Sequence, residues 1–237
     1  MQVFSDGILF PEWGPVTSSA PSRNKLKYEQ DKLKINNLHL LSYPSFSVEG
    51  VEDMPIVQSF CDDVPDTFIP FSCRGSSSCS YSYGVHCFEY DYRINSIWND
   101  PLSAIDSLKR FRCVIAPDYS LFVDQPRAVN VTNVYRNRWV SCLWSSKGII
   151  VIPSASWGSA ESFSYCFDGL PQNSVIAIGH VAVGKNRAQK SLFRMGTEEL
   201  ILRKQPTKLL VYGSPLDFDP GVEVINVKGI IQKLRCL

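Results

Sequence analysis

The residues with chemistry to offer gather where short apolar runs give way to polar ones. Pro117-Asp118-Tyr119-Ser120 follows the run Cys113–Ala116, and Pro153-Ser154-Ala155-Ser156-Trp157 follows Ile149–Ile152. His180 stands just past a third run, Ser174–Gly179, with Lys185 beyond it, and Tyr212 closes a fourth, Lys208–Tyr212. A carboxylate at Asp118 suits a general base or a ligand anchor. With Asp124 it makes a pair fit for acid–base work or a hard cation; alternatively Asp124 caps the helix that follows. Trp157 offers a face for stacking on a base or sugar. Glu161 offers a second acid–base group or, behind Ser159 as cap, only a favourable charge in a helix's first turn. His180 is placed for catalysis or ligand contact. Ser120, Ser154 and Tyr212 supply hydroxyls, and Lys185 a charge for phosphate.

The dense cluster Tyr135-Arg136-Asn137-Arg138-Trp139 lies in a helical pattern. Helical spacing sets Tyr135, Arg138 and Trp139 near one face and Arg136 with Asn133 and Asn137 on another. A guanidinium is a bidentate fork for phosphate or carboxylate. Arg136 or Arg138 is therefore expected within ion-pair reach of Asp118, Asp124 or Asp168, because a buried arginine needs a partner.

Several chemistries lack their signatures. There is no G-x-S-x-G elbow, no phosphate loop of the G-x-x-x-x-G-K-[ST] type and no dinucleotide G-x-G-x-x-G. Cys73, Cys79, His86 and Cys87 are spaced more loosely than zinc ligands. With only His39, His86 and His180 as histidines, no metal is expected, and no motif names a cofactor.

These residues need elements to position them. Strand patterns at 113–116, 149–152, 174–179 and 208–212 alternate with helical patterns at 126–146 and 190–203, and 222–227 reads as a further strand. The strand runs are apolar throughout, as buried parallel strands are. Strand–helix alternation implies parallel βαβ units. The expectation is an α/β fold whose parallel units form an open sheet or incomplete barrel. Its site should lie at the strands' carboxyl ends. Upstream, Val85–Tyr90 reads as a strand, and a helix is expected from Pro101 with Asp100 as cap. Residues 1–66 read as an irregular N-terminal extension broken by prolines, and 67–237 as the α/β domain. The lysine-rich stretch 23–34 and the acidic stretch 49–66 read as solvated faces.

A chain of 237 residues with 44% hydrophobic and 20% charged residues has the makings of a packed core. A net charge of +1 argues against polyanion binding driven by bulk charge. No apolar run is long enough for a transmembrane helix, and the first residues lack the form of a signal peptide. A reducing, cytoplasmic setting follows as the expectation, with the eight cysteines mostly free thiols.

Five segments carry a resemblance: 97–101 (IWNDP), 115–120 (IAPDYS), 135–139 (YRNRW), 151–157 (VIPSASW) and 163–169 (FSYCFDG). In order, they resemble the domain-of-unknown-function-4417 family over roughly residues 85–230. The resemblance implies a prokaryotic or phage source and the cytoplasm, and no established activity. The Cys-rich loop at 73–87 departs from the family pattern. A short segment, Ala177–Gly184, is similar to a strand-plus-glycine piece of transfer-RNA guanine transglycosylases, which show two adjacent glycines where this chain has Gly179-His180. The leading expectation is an enzyme acting on a nucleotide or nucleic-acid component. The alternative is a non-catalytic nucleic-acid or nucleotide binder, a replication accessory or counter-defence protein, resting on the basic residues at 185–208 and 23–34.

Overall fold

The computed structural model describes residues 46–61, 63–75, 80–181 and 186–227. A small antiparallel hairpin comes first, β1 (Val48–Glu49) and β2 (Met54–Pro55). There follow β3 (Phe68–Pro70), β4 (Gly84–His86), α1 (Asp91–Asn99), α2 (Ile105–Leu108), β5 (Cys113–Ile115) and α3 (Arg127–Ser146). Then come β6 (Val151–Ile152), β7 (Ser154–Ala155), β8 (Val175–His180), α4 (Arg187–Lys204), β9 (Lys208–Gly213) and β10 (Glu223–Val227).

Every strand pair from β3 onward is parallel, and neighbours in the sheet are neighbours in sequence. Pro153 divides one strand into β6, which pairs with β5, and β7, which pairs with β8. Proline has no N–H for the ladder, but its carbonyl still accepts from Ala177 N at 2.8 Å. The two ladders thus run on through a single break. Alternate residues explain the curvature. Phe68, Cys113, Ile115, Ile152, Val175, Ala177, Leu210, Tyr212 and Val227 share one core. These come from β3 at one edge to β10 at the other, so the sheet curls around its own inner face. Among the described residues β3 and β10 do not pair, and the result is an incomplete barrel. Phe60 belongs to the inner core as well; its carbonyl accepts from Val175 N at 2.9 Å, at the start of β8.

The opposite faces of the same strands carry the helices. Val85, Val114 and Val151 pack with Ile94, Trp139 and Trp144. Ile176, Ile178, Leu209 and Val211 pack with Phe193 and Leu200. Strands buried on both sides account for the unbroken apolar runs.

The structure departs from the sequence reading at one element. The residues Asp91–Asn99 form a helix, and the segment after Pro101 is a turn followed by one short helical turn. Asp100 therefore stands past the end of α1, not before a helix. Its carboxylate oxygen accepts from Ser103 N at 3.3 Å within that turn. A proline disfavours helical backbone in the residue before it, and Asp100 is extended at φ −146°, ψ 78°. α3 stops at Lys147-Gly148, with Gly148 at φ 83°.

Candidate functional site

At the carboxyl ends of β5, β7 and β8 the chain encloses a pocket of about 440 Å³. One wall is polar: Asp118 and Ser120 after β5, and Ser156 after β7. The other is apolar, formed by Phe122, Trp157, Leu192 and Phe193. Gly179 at the end of β8 and Gln189 from α4 complete it.

Asp118 is the group that stands out chemically. The Ser156 hydroxyl bonds its carboxylate, yet Oδ1 is buried with no partner in the protein. Burial pushes its pKa up from 3.8 to about 7; the Ser156 bond opposes this, nearby Asp91 adds to it, and Arg138 opposes it. Such a carboxyl exchanges its proton near neutrality, the property wanted of an acid–base group.

Gly179 is a close-approach position. A Cβ there would lie 3.1 Å from the Phe88 ring and 3.8 Å from Asp118 Oδ2. Trp157 rests against α4 where Gly196 has no side chain; a Cβ on Gly196 would fall 2.2 Å from the indole. Phe193 at 5.3 Å and Phe167 at 6.0 Å hold the ring from other sides.

Residues 46–227 match the family model described as a domain of unknown function, DUF4417. The chain belongs to the DUF4417 family. Two curated relatives are phage proteins. The Gene 1 protein of Mycobacterium phage D29 is 34% identical over 189 residues, covering 77% of this chain and 66% of that protein. The Gene 1 protein of Mycobacterium phage L5 is 41% identical over 129 residues, covering 54% of this chain and 56% of its own. The chain thus spans less than two thirds of either relative. No solved structure matches it.

In this DUF4417 fold the loop bearing Asp118 is held by a row of asparagines on α3. Asn130 Oδ1 accepts from Phe122 N at 3.1 Å, and its Nδ2 donates to Phe122 O at 2.8 Å. Asn133 Nδ2 donates to Ser120 O at 2.8 Å, and Asn137 Oδ1 accepts from Tyr119 N at 2.8 Å. The three stand at helical spacing on one face. A side-chain amide matches a loop peptide in donor and acceptor, so the row serves as a substitute strand partner for residues 119–122. Asn137→Ala is expected to leave the buried Tyr119 N–H unpartnered, a loss of about 1–3 kcal/mol, read as a lower midpoint in urea unfolding.

The predicted residues divide. Asp118, Ser120 and Trp157 line the pocket. Ser120 is committed to Asp91, whose Oδ1 accepts from its hydroxyl at 3.0 Å. Ser154 is fully buried, its hydroxyl donating to Pro117 O at 3.0 Å. His180 stacks on Phe193 at 4.6 Å, behind the pocket wall, with Nδ1 2.8 Å from Ser214 O. Tyr212 is buried against His86 and Phe88. Asp124 and Glu161 are exposed away from the pocket lining, and Pro126, not Asp124, occupies the cap position of α3. Lys185 and Cys79 lie outside the described residues.

The expected arginine–carboxylate pair is replaced by a different solution. Arg138 is 2% exposed and donates to three backbone carbonyls: Asp168 O from Nε at 2.9 Å, Ser154 O from Nη1 at 2.9 Å and Cys166 O from Nη2 at 2.7 Å. Carbonyl dipoles, rather than a carboxylate in ion-pair contact, take up its hydrogen bonds. Arg136 instead lies over the rings of Trp98 and Tyr119, at 5.0 and 5.4 Å. Alternation along the chain sends His86 inward and Cys87 into the helix-side core, so those two cannot share a metal ion.

The reading from sequence passed over the asparagine row, Ser156 as partner of Asp118, and the apolar wall of Phe122 and Phe193. Only the first had a legible signal: Asn130, Asn133 and Asn137 recur at i, i+3 and i+7 along one helix face.

Proposed function

We propose that the pocket takes a nucleotide or nucleic-acid component, its planar base against the Trp157 side, and that the chain is an enzyme in which Asp118 moves a proton on that ligand. The observation that carries this reading is the unpartnered, buried Oδ1 of Asp118 in a mostly apolar pocket. A carboxyl poised near neutrality both donates and accepts, which suits the amide and amidine edges of a base. Ser156 orients the carboxyl and Gln189 adds a hydrogen-bonding group at the wall. The phage relatives support work inside a host cell; among the described residues no helix is long and apolar enough to cross a membrane.

The alternative, a binder that grips a nucleic-acid backbone, draws less support. Five of the six cations along α4 and β9 are engaged: Lys190 with Asp217, Arg194 with Glu198, Arg203 with Glu199, Lys204 with Glu49 and Lys208 with Glu223. A continuous free basic face is the expected footprint of backbone binding, and these pairs interrupt it.

Calorimetric titration with the bases, nucleosides and 5′-monophosphates tests the proposal. At least one compound is expected to bind wild type, and Trp157→Ala to weaken it by the loss of about 1–3 kcal/mol of stacking. If no base-bearing compound binds, or if Trp157→Ala and Asp118→Asn both bind as wild type does, the reading is wrong.

A further inference from the structure

His86 lies beside this pocket but is not part of its lining. Its neighbours Val85 and Cys87 belong to the helix-side core, so the imidazole points to the inner face at the carboxyl end of β4. It is fully buried, and neither Nδ1 nor Nε2 has a hydrogen-bond partner. Among the described residues the other polar side chains buried as whole residues, such as Asn137, Arg138, Ser154, Ser174 and Thr197, have partners, and the remaining unmatched buried atoms, Asp118 Oδ1, Gln125 Oε1 and Arg136 Nε, belong to side chains only partly buried. A buried polar group left unmatched costs about 1–3 kcal/mol, so an apolar residue would serve the core better. Its presence there points to a role outside the core.

The surroundings say what kind of role. Tyr212 lies tilted against His86 at 4.4 Å, Phe88 stacks on His86 at 6.4 Å, and Phe88 and Tyr212 stack on each other at 5.1 Å. Phe88 is the half-exposed member of the three. It is also the member that packs over Gly179, where an added Cβ would lie 3.1 Å from the Phe88 ring and 3.8 Å from Asp118 Oδ2. The Phe88 ring thus packs against His86 on one side and over the bare backbone of Gly179, a lining residue of the pocket, on the other.

We propose that His86 is a second ligand-contacting group of the barrel mouth, covered by Phe88 until that ring turns aside. The inference rests on the pocket reading given above. The partner it fits is a neutral hydrogen-bonding edge, a carbonyl, amine or hydroxyl of the molecule that Asp118 contacts. Burial holds the imidazole pKa down at about 4, so at neutral pH it offers one N–H and one lone pair and no charge.

Diethyl pyrocarbonate, which acylates unprotonated imidazole, provides a test that needs no known ligand. In the folded chain at pH 7, with sites mapped by peptide mass, His86 is expected to be modified, and at least tenfold faster in Phe88→Ala. His86 left unmodified while the half-exposed His180 reacts fully would overturn the proposal. Titration with the four ribonucleoside 5′-monophosphates forms the second arm. His86→Phe is expected to melt no lower than wild type yet to bind at least tenfold more weakly, with His86→Gln retaining part of the affinity. Unchanged binding by His86→Phe would overturn the assignment. If none of the four binds wild type, the nucleotide reading falls, and His86 is judged on the acylation result alone.

Discussion

Replacing Arg138 by methionine is expected to lower the melting temperature more than any substitution at the pocket lining. The guanidinium is buried and spans the carbonyls of Ser154, Cys166 and Asp168. These belong to β7 and to the turn that leads toward β8, so one side chain ties α3 to the strand end that carries Ser156 and Trp157. Methionine fills much of the volume and leaves three acceptors dry, at about 1–3 kcal/mol each. Relief of the arginine's own desolvation offsets part of this. A net loss of about 3 kcal/mol, or about 6–12 °C for a domain of this size, is the expected reading in a calorimetric scan. Arg138→Lys should recover little, because an ammonium is a point donor and cannot span three carbonyls in a plane. A variant melting within a degree or two of wild type would show that the carbonyls find other donors.

Arg138 also marks where the sequence stopped being informative. The parallel sheet was legible, since apolar runs such as Val114–Ala116 and Ile176–Ile178 alternate with helical patterns and leave few topologies. The placement of Asp118 and Trp157 followed from that, because strand ends in such sheets converge. Arg138 itself was recognisable as buried, yet its partners were not. Residue types announce a carboxylate, whereas backbone carbonyls are present everywhere and become partners only through the turn at 166–168. The helix at 91–99 was hidden for a similar reason. The run Val85–Tyr90 reads as strand by propensity, while Ile94 and Ile97 provide only two apolar positions at helical spacing beyond it. His86 was noticed only as a weak zinc ligand; its inward direction depends on the parity of β4, which a three-residue strand does not announce.

Asp118→Asn is expected to raise stability in alkaline solution while removing ligand binding. The native carboxyl titrates at about 7 against 3.8 for the free group, so the folded state holds the proton more tightly than the unfolded chain. Stability assigned to Asp118 is therefore full below about pH 4 and is lost as pH rises to about 7. A shift of about three pH units corresponds to about 4 kcal/mol. Asparagine has nearly the same shape and no charge, so the variant should gain on wild type between pH 4 and 7 and hold a constant lead above. His86 acts in the opposite sense. Its pKa falls from 6.5 to about 4 on folding, so its contribution is complete above about 6.5 and is lost as pH falls toward 4. Between about 4 and 6.5 the two slopes oppose each other in wild type. The difference curves for Asp118→Asn and His86→Phe, measured as urea midpoints at intervals from pH 4 to 8, should then run with opposite sign. Asp118→Asn should lead wild type more at high pH, and His86→Phe more at low pH. A flat curve for Asp118→Asn would mean that Asp118 is solvated and ordinary, and the acid–base role assigned to it would go with it.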